Sequence, residues 1–453
     1  MKFTKLGKAL LMSALSAAVA LGITSCQQSY TVGYMYVTGT VTAQSGSNGI
    51  ISGFNIDHNT GKLNPVDGLP ISSGGANPVR AVLVTGSRFL YVLNRGANSS
   101  GGSACTTADP CQNANIQEFA VGGNGILTPQ ETFYTQGFNP FRMIGDSSGN
   151  FLYVLDHDSP SSTACTLALG SSATACGDIT TFSINQTTGR LSLVVNTQVT
   201  SANCPNSQVT CPLSYFPVPA DPIDFALASG YVLTLSGTPS TGDAVFPYTY
   251  SSSSGQLTIN QNTAQPLSIA QGTAIVTGSG YVYVLDNEAI TIAAGATGSF
   301  PAGTYPSQIL PFSIGSGGAL QSQTGGIVPD DATLANPIIL LVESKGKFLY
   351  VANQGNLTQG TNPTSGLAGY VIDPSTHQLS FIAGEPFGSG SGPQCLLEDP
   401  SDQFIYTANF NDSSVTGRVV DPNSGVLNNL RVANGTFALQ GPATWCIVDG
   451  RTS

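Results

Sequence analysis

The chain has 453 residues, of which only 9% are charged, with a formal net charge of −11 and 14 lysines and arginines in all. So few basic residues cannot neutralise a run of phosphates, which excludes a nucleic-acid partner. The 53 glycines and 27 prolines, without any long segment of helical periodicity, predict many turns and an all-β fold.

Residues 1–25 predict a lipoprotein signal peptide. Three lysines precede an apolar stretch at residues 9–23, which is too short and too rich in small residues for a stable membrane span. The stretch ends in Ile-Thr-Ser before Cys26, and this resembles the lipobox of bacterial lipoproteins. The resemblance implies that Cys26 carries lipid as the mature N-terminus, with residues 26–30 as a short tether. An ordinary secretory signal with an incidental cysteine is the alternative.

The lipid is then the expected contact with the membrane. Gln27, rather than an aspartate, follows the cysteine. By resemblance to enterobacterial lipoproteins this implies the periplasmic face of the outer membrane or the cell surface.

Two strand patterns recur seven times along the rest of the chain. The first is an aromatic strand that mostly ends in Asn or Asp, and its copies begin at Tyr34, Phe89, Phe151, Tyr231, Tyr281, Phe348 and Phe404. The second runs into a tight turn followed by a leucine, and those leucines are Leu63, Leu127, Leu191, Leu257, Leu320, Leu379 and Leu427. Alternating aromatic and β-branched residues favour buried strands, and the turn glycines supply positive φ angles.

A third strand precedes most of the aromatic ones and opens with proline. The prolines are Pro78, Pro140, Pro222, Pro337, Pro393 and Pro442, and the copy at Gln271-Gly272-Thr273 lacks one. With the segment after each leucine, the pattern predicts four antiparallel strands per blade and a seven-bladed β-propeller over residues 31–453. The chain begins without a proline-opened strand and ends on one, at residues 441–449. The two ends should therefore complete one composite blade, which removes open sheet edges.

The sequence pattern of one blade runs from Asn139 to Leu191 and recurs from Asn336 to Leu379. It resembles the blades of the lactonase-type seven-bladed propellers of the 6-phosphogluconolactonase-like family. The resemblance covers essentially the whole predicted propeller. It implies hydrolysis of a lactone by His, Arg and carboxylate side chains at the mouth of the central channel. Many family members carry histidines beside the inner-strand proline, whereas this chain has Val79-Arg80 and Phe141-Arg142 there.

Arg80, Arg142 and Asp224 occupy the same place in three successive blades, two residues after the proline. Inner strands line a propeller's channel, so these three side chains are expected to converge there. Two guanidiniums suit a carboxylate or other oxyanion, and Asp224 or His157 could activate water. The alternative is an Arg–Asp–Arg ion network between blades. His58 and His377 fall in outer turns, and we expect both to be solvated loop residues without a role in the site.

Eight cysteines remain after Cys26, and none has the spacing of a zinc site. Three close pairs in polar loops predict disulfides Cys105–Cys111, Cys165–Cys176 and Cys204–Cys211, as suits an exported protein. A fourth bond, Cys395–Cys446, is predicted between the inner strands of neighbouring blades, with an uncertain register.

Two functions follow from these observations. The first is hydrolysis of a small, non-phosphorylated or exogenous lactone, because a cytosolic sugar phosphate belongs to another compartment. The second is a non-catalytic propeller that binds a protein or glycan through its long loops. No metal-ligand cluster or phosphate-binding glycine loop is visible, so no cofactor is predicted.

Overall fold

The computed structural model describes residues 30–41, 48–84, 88–100, 105–106, 108–201, 211–237, 242–258, 265–294, 300–323, 328–355, 365–432 and 435–450. These residues form a seven-bladed β-propeller, as predicted. Cys26 lies outside the described residues.

Blade 1 is built from both ends of the chain. Its strands are β1 (Thr31–Gly39), β2 (Asn48–Asp57), β3 (Leu63–Pro65) and β4 (Ile71–Ala76), with β37 (Ala443–Asp449) innermost. Tyr34 pairs with Asp449, and Val37 pairs with Cys446. The predicted composite blade is confirmed.

The next three blades follow along the chain, each given from its innermost strand outward. Blade 2 contains β5 (Pro78–Leu83), β6 (Phe89–Asn94), β7 (Asn115–Val121) and β8 (Leu127–Phe133). Blade 3 contains β9 (Phe138–Gly145), β10 (Phe151–Asp158), β11 (Gly177–Ile184), β12 (Leu191–Leu193) and β15 (Phe216–Val218). Blade 4 contains β16 (Pro222–Ala228), β17 (Tyr231–Ser236), β18 (Asp243–Tyr250), β19 (Leu257–Thr258) and β20 (Gln265–Ile269).

The last three blades have the same order. Blade 5 contains β21 (Gly272–Gly278), β22 (Tyr281–Asp286), β25 (Gln308–Ile314), β26 (Leu320–Ser322) and β27 (Val328–Pro329). Blade 6 contains β28 (Pro337–Val342), β29 (Phe348–Asn353), β30 (Gly366–Ile372) and β31 (Leu379–Phe381). Blade 7 contains β32 (Pro393–Glu398), β33 (Phe404–Asn409), β34 (Ser414–Val420), β35 (Leu427–Asn429) and β36 (Thr436–Ala438).

Five blades carry a strand more than the predicted four. The additional strands β4, β15, β20, β27 and β36 each pair with the third strand of their blade. The outermost strands are mostly only two or three residues long, so part of the longer third strand remains free for this pairing.

The long loops also contain structure that the sequence pattern did not predict. One short helix, α1 (Ser162–Leu169), lies between β10 and β11, and the Ser161 side chain caps it by accepting a hydrogen bond from the Ala164 N–H. Two hairpins lie outside the blades, β13 (Asn196–Ser201) with β14 (Cys211–Leu213) and β23 (Ile290–Ile292) with β24 (Gly303–Tyr305). Within the described part of the chain, no helix is long and apolar enough to span a membrane.

The innermost strands form a closed ring, in which each contacts the innermost strands of both neighbouring blades. The second strands lie between adjacent blades and are buried along almost their whole length. Their tyrosines bind across the blade interface: Tyr406 Oη donates to the Gly61 carbonyl at 2.7 Å, and Tyr350 Oη to the Gly425 carbonyl at 2.7 Å. The Tyr406 bond joins blade 7 to blade 1. The repeated aromatic residue therefore holds neighbouring blades together.

Three of the predicted disulfides are present. The Cα–Cα distances are 5.2 Å for Cys105–Cys111, 5.6 Å for Cys165–Cys176 and 5.7 Å for Cys395–Cys446. Cys204 lies outside the described residues, so the Cys204–Cys211 pair stays a prediction.

Candidate functional site

A β-bulge lies near the beginning of every innermost strand. The register with the second strand skips one residue in each blade, and the skipped residues are Val79, Phe141, Ile223, Thr273, Ile338, Gln394 and Thr444. A bulge redirects side chains and interrupts regular pairing. The seven bulges therefore form a layer at one end of the channel.

A second set of side chains lies at the same end. The last residues of the second strands pair with the opening prolines, as in Asn94 with Pro78 and Asn353 with Pro337. The residues that follow them directly are Arg95, His157, Gln354 and Phe410. Blades 2, 3, 6 and 7 thus present residues at this end from the innermost strand and from the position that follows the Asn or Asp paired with the proline.

A cavity of about 340 Å³ opens at this mouth. Its lining comes from blades 1, 2, 3, 6 and 7 and consists of Val79, Arg80, Arg95, Phe141, Arg142, Gln354, Gln394, Phe410 and Thr444. Three guanidiniums, two amides and one hydroxyl supply hydrogen-bond donors, beside two aromatic rings. Such a lining suits a small polar molecule that carries negative charge.

Arg142 and Asp224 form an ion pair between blades 3 and 4. Arg142 Nε lies 2.9 Å from Asp224 Oδ1. The other carboxylate oxygen, Oδ2, accepts a hydrogen bond of 3.0 Å from the Ile275 N–H in blade 5. Both oxygens are engaged, so this geometry favours the ion-network interpretation of Asp224 over a role in activating water.

Arg80 contacts the composite blade 1 and the backbone of its own strand. Its guanidinium carbon lies 3.9 Å from the centre of the Trp445 ring, and Nη1 donates to the Val79 carbonyl at 2.8 Å. Burial and then the positive charge of Arg142 hold the pKa of Arg80 well below its ordinary value, opposed by Asp224. The charged form of Arg80 is therefore short of compensating negative charge.

Arg95, which also lines the cavity, is a second buried guanidinium that is short of partners. Its buried Nε has no hydrogen-bond partner among the described residues. Burial, followed by the positive charge of Arg142, lowers the pKa of Arg95, while Asp158 opposes the shift. Neither Arg80 nor Arg95 forms an ion pair with a carboxylate in the described part of the chain. An anion in the cavity would supply the missing partner.

His157 and Asp158 lie beside the cavity, at the end of β10. His157 Nδ1 is 3.2 Å from Asp158 Oδ1, and Asn139 Nδ2 donates to Asp158 Oδ2 at 2.6 Å. The His157 ring centre lies 6.2 Å from that of the cavity residue Phe141. With Nδ1 directed to the carboxylate, Nε2 is the nitrogen left to accept a proton. The side chain is 38% exposed, so water reaches it.

The structure thus brings Arg80, Arg142 and Asp224 together, as predicted, and puts His157 next to them. His58 and His377 lie in outer turns, where their rings contact Tyr30 and Tyr281 respectively. No group of three or more His, Cys, Asp or Glu side chains among the residues described here could hold a metal ion.

Sequence reasoning missed several lining residues, four of which are Arg95, Gln354, Gln394 and Phe410. Three of them follow the Asn that ends a second strand, which is the repeat position of His157. Gln394 is a bulged residue, equivalent to Val79 and Phe141. Aligning the repeats at these two positions would have found all four.

The comparisons agree with this architecture. Residues 316–444 match the family described as Lactonase, 7-bladed beta-propeller. This match covers less than a third of the chain, so it shows a likeness to the lactonase-type propellers in that region.

Two solved structures illustrate those likenesses. The periplasmic gluconolactonase of Pseudomonas aeruginosa is 17% identical with a TM-score of 0.62, and the match covers 92% of this chain and 99% of that one. A putative 6-phosphogluconolactonase of Bacteroides fragilis is 15% identical with a TM-score of 0.61, covering 92% of this chain and 98% of that one. No curated protein matches the sequence. At these identities the lactonase-type propellers share the fold with this chain, and the chemistry has to be argued from its own residues.

Proposed function

We propose that this lactonase-type propeller hydrolyses a small lactone at the channel mouth and holds the carboxylate product on its arginines. The observation that carries the proposal is the cavity of about 340 Å³ lined by Arg80, Arg95 and Arg142 in a protein with a net charge of −11. Two of these guanidiniums form no ion pair with a described carboxylate. A buried cation without a partner is costly, which favours an anionic ligand.

Each group has a role in the proposed reaction. His157 Nε2 takes a proton from water while Asp158 holds the ring, and the water oxygen attacks the lactone carbonyl carbon. Arg80 and Arg95 stabilise the negative charge that develops on the carbonyl oxygen. The ring C–O bond then breaks, and the proton returns to the leaving alkoxide to give the hydroxy acid. Arg142, paired with Asp224, positions the other groups.

A panel of small lactones tests the proposal by measured turnover. Relative to the wild type, Arg95→Ala should lower kcat/KM about 100-fold, because it removes a donor to the developing charge. His157→Asn should lower kcat at least about 100-fold, because it removes the base.

Matched controls are available in the same chain. Arg190 is 65% exposed on the rim, and His377 lies in an outer turn at a φ of 56°, which asparagine also adopts. Arg190→Ala and His377→Asn should therefore retain wild-type turnover. Equal turnover by the wild type, R95A and H157N would refute the assignment.

Binding without turnover is the second candidate. The lining side chains offer hydrogen-bond donors, and both oxygens of the Asp224 carboxylate are already bonded. In that case no lactone would be turned over, yet a hydroxy-acid anion would still bind the wild type and fail to bind R95A. A protein or glycan partner that uses the long loops would instead bind R95A and the wild type equally.

We also propose that the protein acts outside the cytoplasm, held by lipid on Cys26. The predicted export signal and the disulfides support a location outside the cytoplasm. A mature N-terminus at Cys26 with the added mass of lipid is expected by mass spectrometry. An unmodified Cys26, or cleavage elsewhere, would contradict it.

A further inference from the structure

Two aspartates face each other behind the channel mouth in blade 3. Asp156 near the end of β10 is directly opposite Asp178 near the beginning of β11. Neither side chain is exposed at all. The pair therefore concentrates two acidic groups in the protein interior.

The same position in other blades holds a donor opposite an acceptor. The bonds there are Asn94 Nδ2 to Asn115 Oδ1 at 3.0 Å, Gln308 Nε2 to Asp286 Oδ2 at 3.1 Å and Asn409 Nδ2 to Ser414 Oγ at 3.0 Å. Two ionised carboxylates can only accept hydrogen bonds. Blade 3 therefore lacks, at this position, a donor that the equivalent pairs possess.

Three carboxylate oxygens of the pair are left without a partner. Asp156 Oδ1 and both oxygens of Asp178 are buried and have no hydrogen-bond donor among the described residues. Asp156 Oδ2 accepts from Thr180 Oγ1 at 3.2 Å. An ionised group in this state would be strongly destabilising, so the pair needs a neutralising partner.

Among the described residues, no Arg, Lys or His side chain is one of the groups that shift the pKa of Asp156 or Asp178. Asp158 adds negative charge from the same strand, and Tyr215 approaches from the segment before β15. The guanidinium of Arg142, on the adjacent strand β9, is bonded to Asp224. His157, the next residue along β10, has its Nδ1 directed to Asp158.

Space beside the two carboxyls is also limited. A Cβ on Gly137 would lie 2.3 Å from Asp178 Oδ2 and 2.6 Å from the Asp156 Cβ. Backbone thus packs directly against both carboxyls. A proton fits this arrangement better than a hydrated cation does.

We propose that Asp156 and Asp178 retain a proton between them at neutral pH, and that this proton locks the ends of β10 and β11 together. Loss of the proton leaves two negative charges facing each other, which separates the strand ends. The segment that they carry, residues 159–176, contains α1 and the Cys165–Cys176 disulfide. His157 and Asp158 follow Asp156 directly, so the channel mouth would respond to alkaline pH. The proposal does not depend on the reaction proposed above.

The electrostatics of the pair agree with this geometry. Burial raises the pKa of Asp156 to about 7. Burial and then the negative charge of Asp156 raise the pKa of Asp178 well above its ordinary value. A carboxyl whose pKa is higher in the folded protein binds its proton more tightly when folded. The stability from this pair is therefore greatest below the ordinary Asp pKa of about 4 and falls as the pH rises through 7 and beyond.

Infrared spectroscopy and thermal unfolding of the full chain test the proposal. The wild type should show the C=O stretch of a protonated carboxyl at neutral pH, and its Tm should fall in mildly alkaline solution. Asp178→Asn supplies a permanent donor, as Asn115 and Asn94 do in blade 2. Because burial also raises the pKa of Glu118, Glu385 and Glu398, D178N should lose only the pair's contribution to this band. It should also weaken the dependence of Tm on pH and exceed the wild-type Tm under alkaline conditions.

Further variants complete the experiment. Asp156→Asn should behave like D178N, and it replaces D178N if that variant does not fold. Asp286→Asn, at the same repeat position but opposite Gln308, should keep the wild-type band and pH dependence. The proposal is wrong if D178N and the wild type share one pH profile. It is equally wrong if Ca²⁺ raises the Tm of the wild type but not of D178N, because the pair would then hold a cation.

Discussion

The carboxylate of Asp224 connects three blades at the channel. It receives Arg142 Nε from blade 3 and the Ile275 N–H from blade 5, while its own strand belongs to blade 4. Its side chain is only 13% exposed, and that of Arg142 is 23% exposed. Removing one member of such a pair leaves the other with a desolvated charge and no partner.

Asp224→Ala should therefore lower the free energy of unfolding by about 2–3 kcal/mol, because both the Arg142 guanidinium and the Ile275 N–H lose their acceptor. Urea denaturation measures the change. The matched control is Glu131→Ala, which removes the partner of exposed Arg190 at 3.4 Å and should cost less than about 0.5 kcal/mol. Equal costs for the two variants would contradict the ion-network interpretation.

The positions of Arg80, Arg142 and Asp224 could be predicted because each lies two residues after a repeated proline. The role of Asp224 could not, because it depends on which neighbouring blade presents an N–H to it. Arg95 was missed for a related reason. It directly follows Asn94, which pairs with Pro78, so its place at the mouth becomes visible only when the repeats are aligned at the ends of the second strands.

At the level of elements, the seam between blades 7 and 1 is held covalently as well as by packing. The innermost strands β32 and β37 are joined by Cys395–Cys446, across a sequence separation of 51 residues. Cys165–Cys176 closes a separation of only 11 residues within one loop. A longer closed loop restricts the unfolded chain more strongly.

Replacing both cysteines of a pair by alanine should therefore affect stability unequally. The Cys395/Cys446 double variant is expected to lose about 1 kcal/mol more than the Cys165/Cys176 double variant, on the loop-entropy scale. Denaturant unfolding of both variants beside the wild type provides the comparison. A greater loss in the Cys165/Cys176 variant would show that the seam does not depend on its disulfide.

The positions of the strands could be predicted to within a few residues. Each outermost strand, for example, begins at one of the seven repeated leucines. Helix α1 and the β13–β14 hairpin could not be predicted. Both lie in insertions that occur once, where no repeat helps, and α1 has eight residues and only two buried side chains. Segments this short are determined by the surface on which they pack.

For the molecule as a whole, closure of the ring creates the site. The cavity takes side chains from five blades, including Thr444 from the C-terminal strand of the composite blade, and the adjacent Trp445 contacts Arg80. Residues as distant in sequence as Arg80 and Gln394 therefore meet only when β37 pairs with β1. The repeat count predicted this closure, because each chain end lacks what the other supplies.

We propose that the mouth of this closed ring is a site for a small hydroxy-acid anion, the product of lactone opening. A crystal structure of the protein with such an anion bound tests it most directly. The carboxylate is expected between the guanidiniums of Arg80 and Arg95, with its hydroxyls toward Gln354 and Gln394. An anion bound elsewhere, with the mouth empty at a concentration that saturates the protein in solution, would contradict the claim.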